Sequence, residues 1–204
     1  PVTNENVRLE ATFENGATVL GESHIFYCKK EQDCRIRSVR LLPEHPKALD
    51  AAVEAILDAD MIVLAPGSLY TSIIPNLLVD GIVSAIRDSD ALKLYVCNVM
   101  TQEGETEGYT AADHIQALFR HSCPELFRLC LVNSMPIPEA IARRYAREGA
   151  EPIHCDEERC RALGVELIRR PVASLENGLV RHNPGHLAHE LMTLYEEYAQ
   201  KDST

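Results

Sequence analysis

Apolar and polar residues alternate from Val7 to Glu14. Val7, Leu9, Ala11 and Phe13 fall on one face and Arg8, Glu10, Thr12 and Glu14 on the other, the period of a half-buried strand. Asn15-Gly16 and then Ala17–Leu20 follow, and that dipeptide suits the positive-φ positions of a tight two-residue turn, which predicts a β-hairpin. A further strand at Ile36–Leu41, with Val39 and Leu41 on one face, completes a small antiparallel meander over residues 1–43. From Pro46 the period changes. Ala48, Ala52, Ile56 and Leu57 make a helix face, Met61–Leu64 is a compact buried strand, and one helix runs on through about Arg87. Leu92–Val99 is the next strand. Thr110-Ala111-Ala112-Asp113 then reads as a capping box ahead of the stripe Ala111, Ile115, Leu118 and Phe119. A strand at Leu126–Val132 precedes a helix from about Pro136 to Glu148, with Ser134 as its cap and Gly149 as its stop. A short helix at Asp156–Leu163, a strand at Val165–Ile168 and a last helix from Pro184 that buries Leu187, Leu191, Leu194, Tyr195 and Tyr198 close the pattern.

Strands alternating with helices imply an α/β fold: a three-layer parallel sheet with helices on both faces, here preceded by the meander. The reading is one domain over 1–204, with the α/β core at 44–204. Parallel strands deliver their carboxyl ends to one edge, where open sheets bind ligands. Three such ends turn polar: Ala65–Ser72, Asn98–Gly108 and Asn133–Ser134.

A net charge of −11, from 31 acidic and 20 basic residues, argues against nucleic acid or an anionic membrane as the main partner. No apolar run approaches the ~20 residues of a membrane span, so no membrane insertion is expected. Seven cysteines without a short paired framework fit reduced thiols and a cytoplasmic location. The chain starts at Pro1 rather than Met, which raises the expectation of a fragment.

Gly67 allows close backbone approach, and Ser68, Thr71 and Ser72 set hydroxyls beside a helix start, an arrangement suited to phosphate or carboxylate. No Gly-Lys-Ser/Thr follows, so this is not a Walker loop, and one glycine does not make a dinucleotide fingerprint. The stretch Asn98–Gly108 exceeds the ~2–6 residues that a strand–helix connection needs. It carries Thr101, Gln102, Glu103, Glu105, Thr106 and Glu107, which reads either as a solvated loop or as a binding loop. Its glutamates are solvated groups, magnesium ligands or acid–base groups. His114 is a helix-start or core-edge histidine that points toward the same edge. Tyr145 lies on the stripe Ile137–Ile141–Tyr145, as a core residue or as a ring that stacks on a base or sugar. Arg181 is a surface residue or a phosphate fork. His182, His186 and His189 are interrupted as a metal array by Pro184 and Gly185.

At Ala65–Asn76 (APGSLYTSIIPN) and Asn98–His114 (NVMTQEGETEGYTAADH) the sequence resembles the gluconeogenesis-factor branch of the CofD-like family, which also contains the 2-phospho-L-lactate transferases of deazaflavin cofactor synthesis. The shared pattern is GPGSLYTSIxPN, then NxMTQxGET with a downstream DH, and it continues through the RH-x-P/T segment and the final helix. Ala65 replaces the usual glycine and Glu103 the common proline; neither change removes a polar ligand. The GGGTG strand-turn that opens the family is absent from this sequence, so the resemblance implies an N-terminal truncation that leaves out one strand and a phosphate-contacting loop. It further implies a Rossmann-like fold, a cytoplasmic bacterial protein, a UDP-sugar ligand, and a role in cell shape and envelope-precursor balance on gluconeogenic carbon sources. Protein partners in envelope-precursor synthesis and a homo-oligomer are compatible with it. Tyr145 and Arg181 match a tyrosine and an arginine that contribute to UDP-sugar binding in that branch. The ligand set expected from pattern and resemblance together is Gly67, Ser68, Leu69, Tyr70, Thr71 and Ser72 on the first strand end. Asn98, Thr101, Gln102, Glu105 and Thr106 come from the second, with Asn133, Tyr145 and Arg181 beyond. No catalytic residue and no metal ligand is assigned. The alternative is a Mg-dependent transferase acting on a nucleotide-diphosphate donor, with Glu103, Glu105 or Asp113 holding the metal.

Overall fold

The computed structural model describes residues 1–32 and 34–201. The first alternation becomes β1 (Arg8–Phe13), which buries Leu9, Ala11 and Phe13 and exposes Arg8. It is the centre of an antiparallel sheet, flanked by β2 (Thr18–Leu20) and β3 (Ile36–Leu42), so the meander is present. Its hairpin differs from the expected two-residue turn. Pairing ends at Thr12–Thr18, and of Asn15 and Gly16 only the glycine takes positive φ (86°), so residues 14–17 form a longer connection. Between β2 and β3 lies α1 (Glu22–Gln32), which no periodicity announced, because Ile25 alone among its described side chains is buried.

After α2 (Asp50–Leu57) and β4 (Met61–Leu64), the single helix expected through Arg87 is broken into three pieces. They are a π-helical turn at Leu69–Ile73, α3 (Ile74–Leu77) with Pro75 in its first turn, and α4 (Ile82–Asp88) after Gly81 at φ +99°. The chain then runs through β5 (Leu92–Val96), α5 (Ala111–Arg120), β6 (Leu129–Asn133), α6 (Glu139–Ala146), α7 (Glu157–Ala162) and β7 (Glu166–Arg170). The helix α6 is shorter than Pro136–Glu148, and its cap position is Pro138 rather than Ser134. The box at Thr110 is present: the Asp113 N–H donates to Thr110 Oγ1 at 3.2 Å and the Thr110 N–H to Asp113 Oδ2 at 3.0 Å. Asp156, expected to start its own helix, also accepts the Ala112 N–H at 3.0 Å and so ties α7 to the start of α5.

The strands β4–β5–β6–β7 form a parallel sheet in that order. Tyr95, Cys97, Cys130 and Val132 face the larger core beneath α4, α5 and α7. Leu94, Val96, Leu129 and Leu131 face the other way, onto Leu194, Leu187, Leu191 and Tyr198 of α8 (Pro184–Lys201). Tyr195 is half-buried and stands outside that cluster. With both faces apolar, β4 and most of β6 read as continuous apolar runs with no visible alternation. The result is an α/β, Rossmann-like, three-layer arrangement with an antiparallel meander before it. A further hairpin, β8 (Ala173–Glu176) and β9 (Leu179–His182), turns at Asn177-Gly178, both at positive φ (51° and 75°), the two-residue geometry that Asn-Gly favours. Among the described residues no helix is long and apolar enough to cross a membrane.

Candidate functional site

Two strand-end loops are zipped together. The Asn98 amide donates to Gly67 O at 3.0 Å, and the Ser68 hydroxyl donates to Gln102 Oε1 at 2.8 Å. Glu105 accepts the Tyr70 N–H at 3.1 Å through one carboxylate oxygen and the Thr71 hydroxyl at 2.5 Å through the other. Its side chain is only 3% exposed. Burial raises its pKa, and the hydrogen bonds from Thr71 and Tyr70 oppose that rise without cancelling it. The anion position that the sequence suggested for this turn is therefore filled by the protein's own carboxylate. Behind it, Tyr70 and Tyr109 share a hydroxyl–hydroxyl bond of 2.9 Å, and Thr106 Oγ1 accepts the Gln102 N–H at 2.9 Å. Thr101 pairs with Glu151 in both directions, its N–H donating to Glu151 O at 2.7 Å and its Oγ1 accepting the Glu151 N–H at 2.9 Å.

The front of these loops borders a crevice of about 620 Å³. Gly67, Ser68, Asn98, Thr101 and Gln102 line it from these loops, and Tyr145 and Arg181 line it from α6 and β9. Asn98 also borders a second chamber of about 340 Å³, where Asn133 is found. Asn133 braces that chamber: its Oδ1 accepts the Met135 and Ala173 N–H groups, each at 3.1 Å, and its amide donates to Met135 O at 2.8 Å. The rest of the expected set lies elsewhere. Leu69, Tyr70, Glu105 and Thr106 are buried behind the wall, and Thr71 is turned back onto Glu105. Ser72 borders a separate apolar groove beside Ile62 and Ile73.

Tyr145 belongs to both readings given for it. Its ring packs in a small core with Met100, Ala173 and Val180, and its Oη accepts the Val180 N–H at 2.9 Å. The tyrosine thereby holds β9, the strand that carries Arg181. The preceding residue, Arg144, donates to Gly178 O at the tip of the same hairpin. Arg181 itself is exposed and forms no ion pair with a described residue. Sequence reasoning passed over Glu148 and did not place His182 here, yet both border the crevice. Burial lowers the pKa of His182, with a backbone bond at Cys97 acting in the opposite direction. Only the hairpin at Asn177-Gly178, unread in the sequence, would have brought His182 to this edge.

His114 is buried in the core, its Nδ1 2.9 Å from Thr110 O and its ring edge-on to Tyr109, and it does not reach the crevice. Of the three residues proposed for magnesium, Glu103 borders the crevice and the other two are engaged within the protein. Glu105 is engaged with Tyr70 and Thr71, while Asp113 is held by Thr110 and by Arg159 at 2.8 Å. Burial opposes the ionisation of Asp113, but the Thr110 and Arg159 bonds outweigh it and lower its pKa. Among the described residues no three His, Cys, Asp or Glu side chains converge as a metal site, the run His182, His186 and His189 included.

The profile of the family described as 2-phospho-L-lactate transferase CofD matches residues 1–173. A gluconeogenesis factor of Halalkalibacterium halodurans is 43% identical over 192 residues, covering 94% of this chain and 58% of that protein. The gluconeogenesis factor of Bacillus subtilis is 43% identical over 197 residues, covering 97% of this chain and 61% of that protein. A crystal structure of a Bacillus halodurans protein superposes with a TM-score of 0.88 at 42% identity, covering 94% of this chain and 60% of that one. The chain thus spans about three fifths of the length of these two gluconeogenesis factors.

Proposed function

The chain belongs to the 2-phospho-L-lactate transferase CofD family, in its gluconeogenesis-factor branch, and on that premise we propose that it binds a nucleotide sugar of the UDP-sugar class as a regulatory protein. In this reading it acts in the cytoplasm and adjusts envelope-precursor supply, and hence cell shape, on gluconeogenic carbon sources. The observation that carries the reading is Arg181. In a chain of net charge −11, an exposed guanidinium with no ion pair to a described residue borders a 620 Å³ crevice at the carboxyl edge of a parallel sheet. Its fork is suited to a phosphate, and Ser68 and Gln102 in the same crevice bring hydroxyl and amide groups suited to a sugar. Glu105 already fills the anion position of the Tyr70 turn, which supports a phosphate position beside Arg181 rather than at that turn.

Calorimetry with UDP-N-acetylglucosamine tests the proposal. Binding is expected, and Arg181→Ala is expected to weaken it at least about tenfold, the loss of ~1.4 kcal/mol or more that a charge-assisted phosphate bond supplies. No heat of binding, or binding indifferent to Arg181→Ala, would sink the reading. Release of a nucleoside monophosphate on incubation with a nucleotide-diphosphate donor would instead place the chain with the transferases of its family.

A further inference from the structure

Two histidines each leave one buried ring nitrogen without a hydrogen-bond partner among the described residues, Nε2 of His114 and Nε2 of His182. An unpaired buried polar atom costs stability, and folded proteins rarely keep one. His114 lies in the core and does not reach the crevice. His182 differs, because its ring borders the crevice together with Asn98 and Arg181.

The chemistry of that free nitrogen is set by the other one. The bond between the ring and the Cys97 backbone acts to raise the pKa, the effect of an imidazole N–H donating to a carbonyl oxygen; with Nε2 unpartnered, the donor is Nδ1. Burial outweighs that bond and holds the pKa below the usual value of about 6.5, so the ring is neutral at pH 7. A neutral ring protonated on Nδ1 carries a lone pair on Nε2 and is an acceptor there. The backbone around it is fixed. Tyr145 Oη accepts the Val180 N–H at 2.9 Å, the Asn183 N–H donates to Val172 O at 2.7 Å, and His182 pairs with Ala173 across the hairpin. The acceptor is therefore in position before a ligand arrives. Most hydrogen bonds to a ligand yield little net gain because each replaces a bond to water. Nε2 is withdrawn from bulk water and has no such bond to give up.

An ionised phosphate offers only acceptor oxygens, which the Nε2 lone pair repels. Neighbouring residues of β9 thus suit different groups, Arg181 a phosphate and His182 a hydrogen-bond donor. Resting on the nucleotide-sugar reading above, we propose that His182 is a further ligand-binding residue, whose Nε2 accepts a hydrogen bond from a hydroxyl or N–H of the ligand while Nδ1–H on the Cys97 backbone holds the ring in that tautomer. The sequence offered His182 only as one member of an interrupted metal array.

Nitrogen NMR of the imidazoles tests this without any substitution, with His182 assigned through its bonds from the backbone. In the free protein its Nε2 signal is expected where an unprotonated nitrogen without a hydrogen bond resonates. On saturation with UDP-N-acetylglucosamine it is expected to move upfield, in the direction of an accepted hydrogen bond, while Nδ1 stays protonated. UDP separates the two sources of the donor: the same shift with UDP assigns it to the nucleoside, and a shift with UDP-N-acetylglucosamine alone assigns it to the sugar. Calorimetry runs beside it. His182→Phe, which keeps an aromatic ring and removes the acceptor, is expected to weaken binding of UDP-N-acetylglucosamine about tenfold, with a thermal melt to confirm that the variant folds. Calorimetric binding to the unsubstituted protein with Nε2 unmoved, or with Nε2 becoming protonated, overturns the role of His182 and leaves the nucleotide-sugar reading standing. Absence of binding to both ligands overturns both.

Discussion

Replacing Glu105 with alanine separates an internal strut from a ligand-contacting group. The carboxylate accepts two hydrogen bonds, from the Tyr70 N–H and the Thr71 hydroxyl, in a site 3% exposed. Each bond to a charged acceptor contributes about 1.5–3 kcal/mol, and truncation leaves a buried N–H without a partner. Against that stands the desolvation of the carboxylate, which the substitution relieves. The balance is a destabilisation of about 2–4 kcal/mol, which for a domain of this size lowers Tm by roughly 5–15 °C. Glu105→Gln is expected to behave differently. Its amide oxygen can keep the Tyr70 N–H, and its amide nitrogen can donate to Thr71 Oγ1, with the hydroxyl switching from donor to acceptor. Both contacts survive, and the cost stays within about 1 kcal/mol.

Both variants also differ from the parent protein in pH dependence, since neither keeps the titrating carboxyl. The folded-state pKa of Glu105 is raised, so between the unfolded value near 4.3 and the folded one the native state holds the extra proton, and stability from this group falls as pH rises through that window. Glutamine removes this dependence and gains on the parent protein as pH climbs across it. Thermal melts by circular dichroism between pH 4 and 8, with ligand titration at neutral pH, read both effects. An alanine variant as stable as the parent would refute the strut. A glutamine variant as damaged as the alanine one would refute the hydrogen-bond account, since glutamine keeps both partners.

Tyr145→Phe removes only the oxygen that accepts the Val180 N–H, a loss of about 1 kcal/mol. Hydrogen exchange over residues 177–182 is expected to quicken and ligand affinity to fall although Arg181 is intact; unchanged exchange there would remove Tyr145 from the role of holding β9. Gly104→Ala places a Cβ 2.2 Å from Phe26 Cδ2 at φ +80°, so overpacking and left-handed strain together cost about 2–4 kcal/mol, readable as a lowered urea midpoint. His121 Nε2 accepts the Val39 N–H at 3.1 Å while Nδ1 donates to Ala117 O at 2.7 Å, which requires the neutral ring. Burial lowers the pKa of His121, as it does for His114 and His182, so the folded state binds fewer protons than the unfolded one below about pH 6.5. Stability is therefore full above that value and is lost as pH falls through the folded values, and His121→Gln is expected to flatten the urea midpoint between pH 7 and 5.

Elements with one buried and one polar face were legible from the sequence. The face of β1, the capping box at Thr110 and the start of α8 at Pro184 each rest on a local pattern that tertiary contacts reinforce. What escaped depends on contacts that no local pattern records. The helix α1 buries one described side chain, so its sequence carries no stripe. The two Asn-Gly pairs show how context decides a turn: Asn177-Gly178 takes the tight geometry, while Asn15-Gly16 sits in a longer loop where Gly16 alone turns left-handed. The site divides in the same way. Polar residues at strand ends marked the correct edge, but composition does not say whether a hydroxyl or carboxylate faces the crevice or the loop behind it. Ser68 and Thr71 are three positions apart and point to different partners, Gln102 and Glu105.

The two sides of the crevice are built with unequal rigidity, and that difference bears on how binding proceeds. The Gly67–Gln102 side is tied at Asn98, Ser68, Thr71 and Tyr70, with buried tyrosines behind it. The Arg181 side hangs on a two-stranded hairpin joined to α6 through Tyr145 at Val180 and Arg144 at Gly178. An isolated hairpin of that size has little stability of its own, so these contacts fix where the guanidinium rests. Ligand contacts on the tied side add to a surface that already exists, whereas a phosphate on Arg181 also immobilises the hairpin. Substitutions on the two sides should then differ in kinetics. Loss of Ser68 or Gln102 removes a formed contact and speeds dissociation. Loss of the Tyr145 hydroxyl lowers the fraction of molecules with Arg181 in place and slows association as well. Stopped-flow binding to the Ser68→Ala and Tyr145→Phe proteins distinguishes the two: equal association rates would mean that the hairpin is as fixed as the tied side.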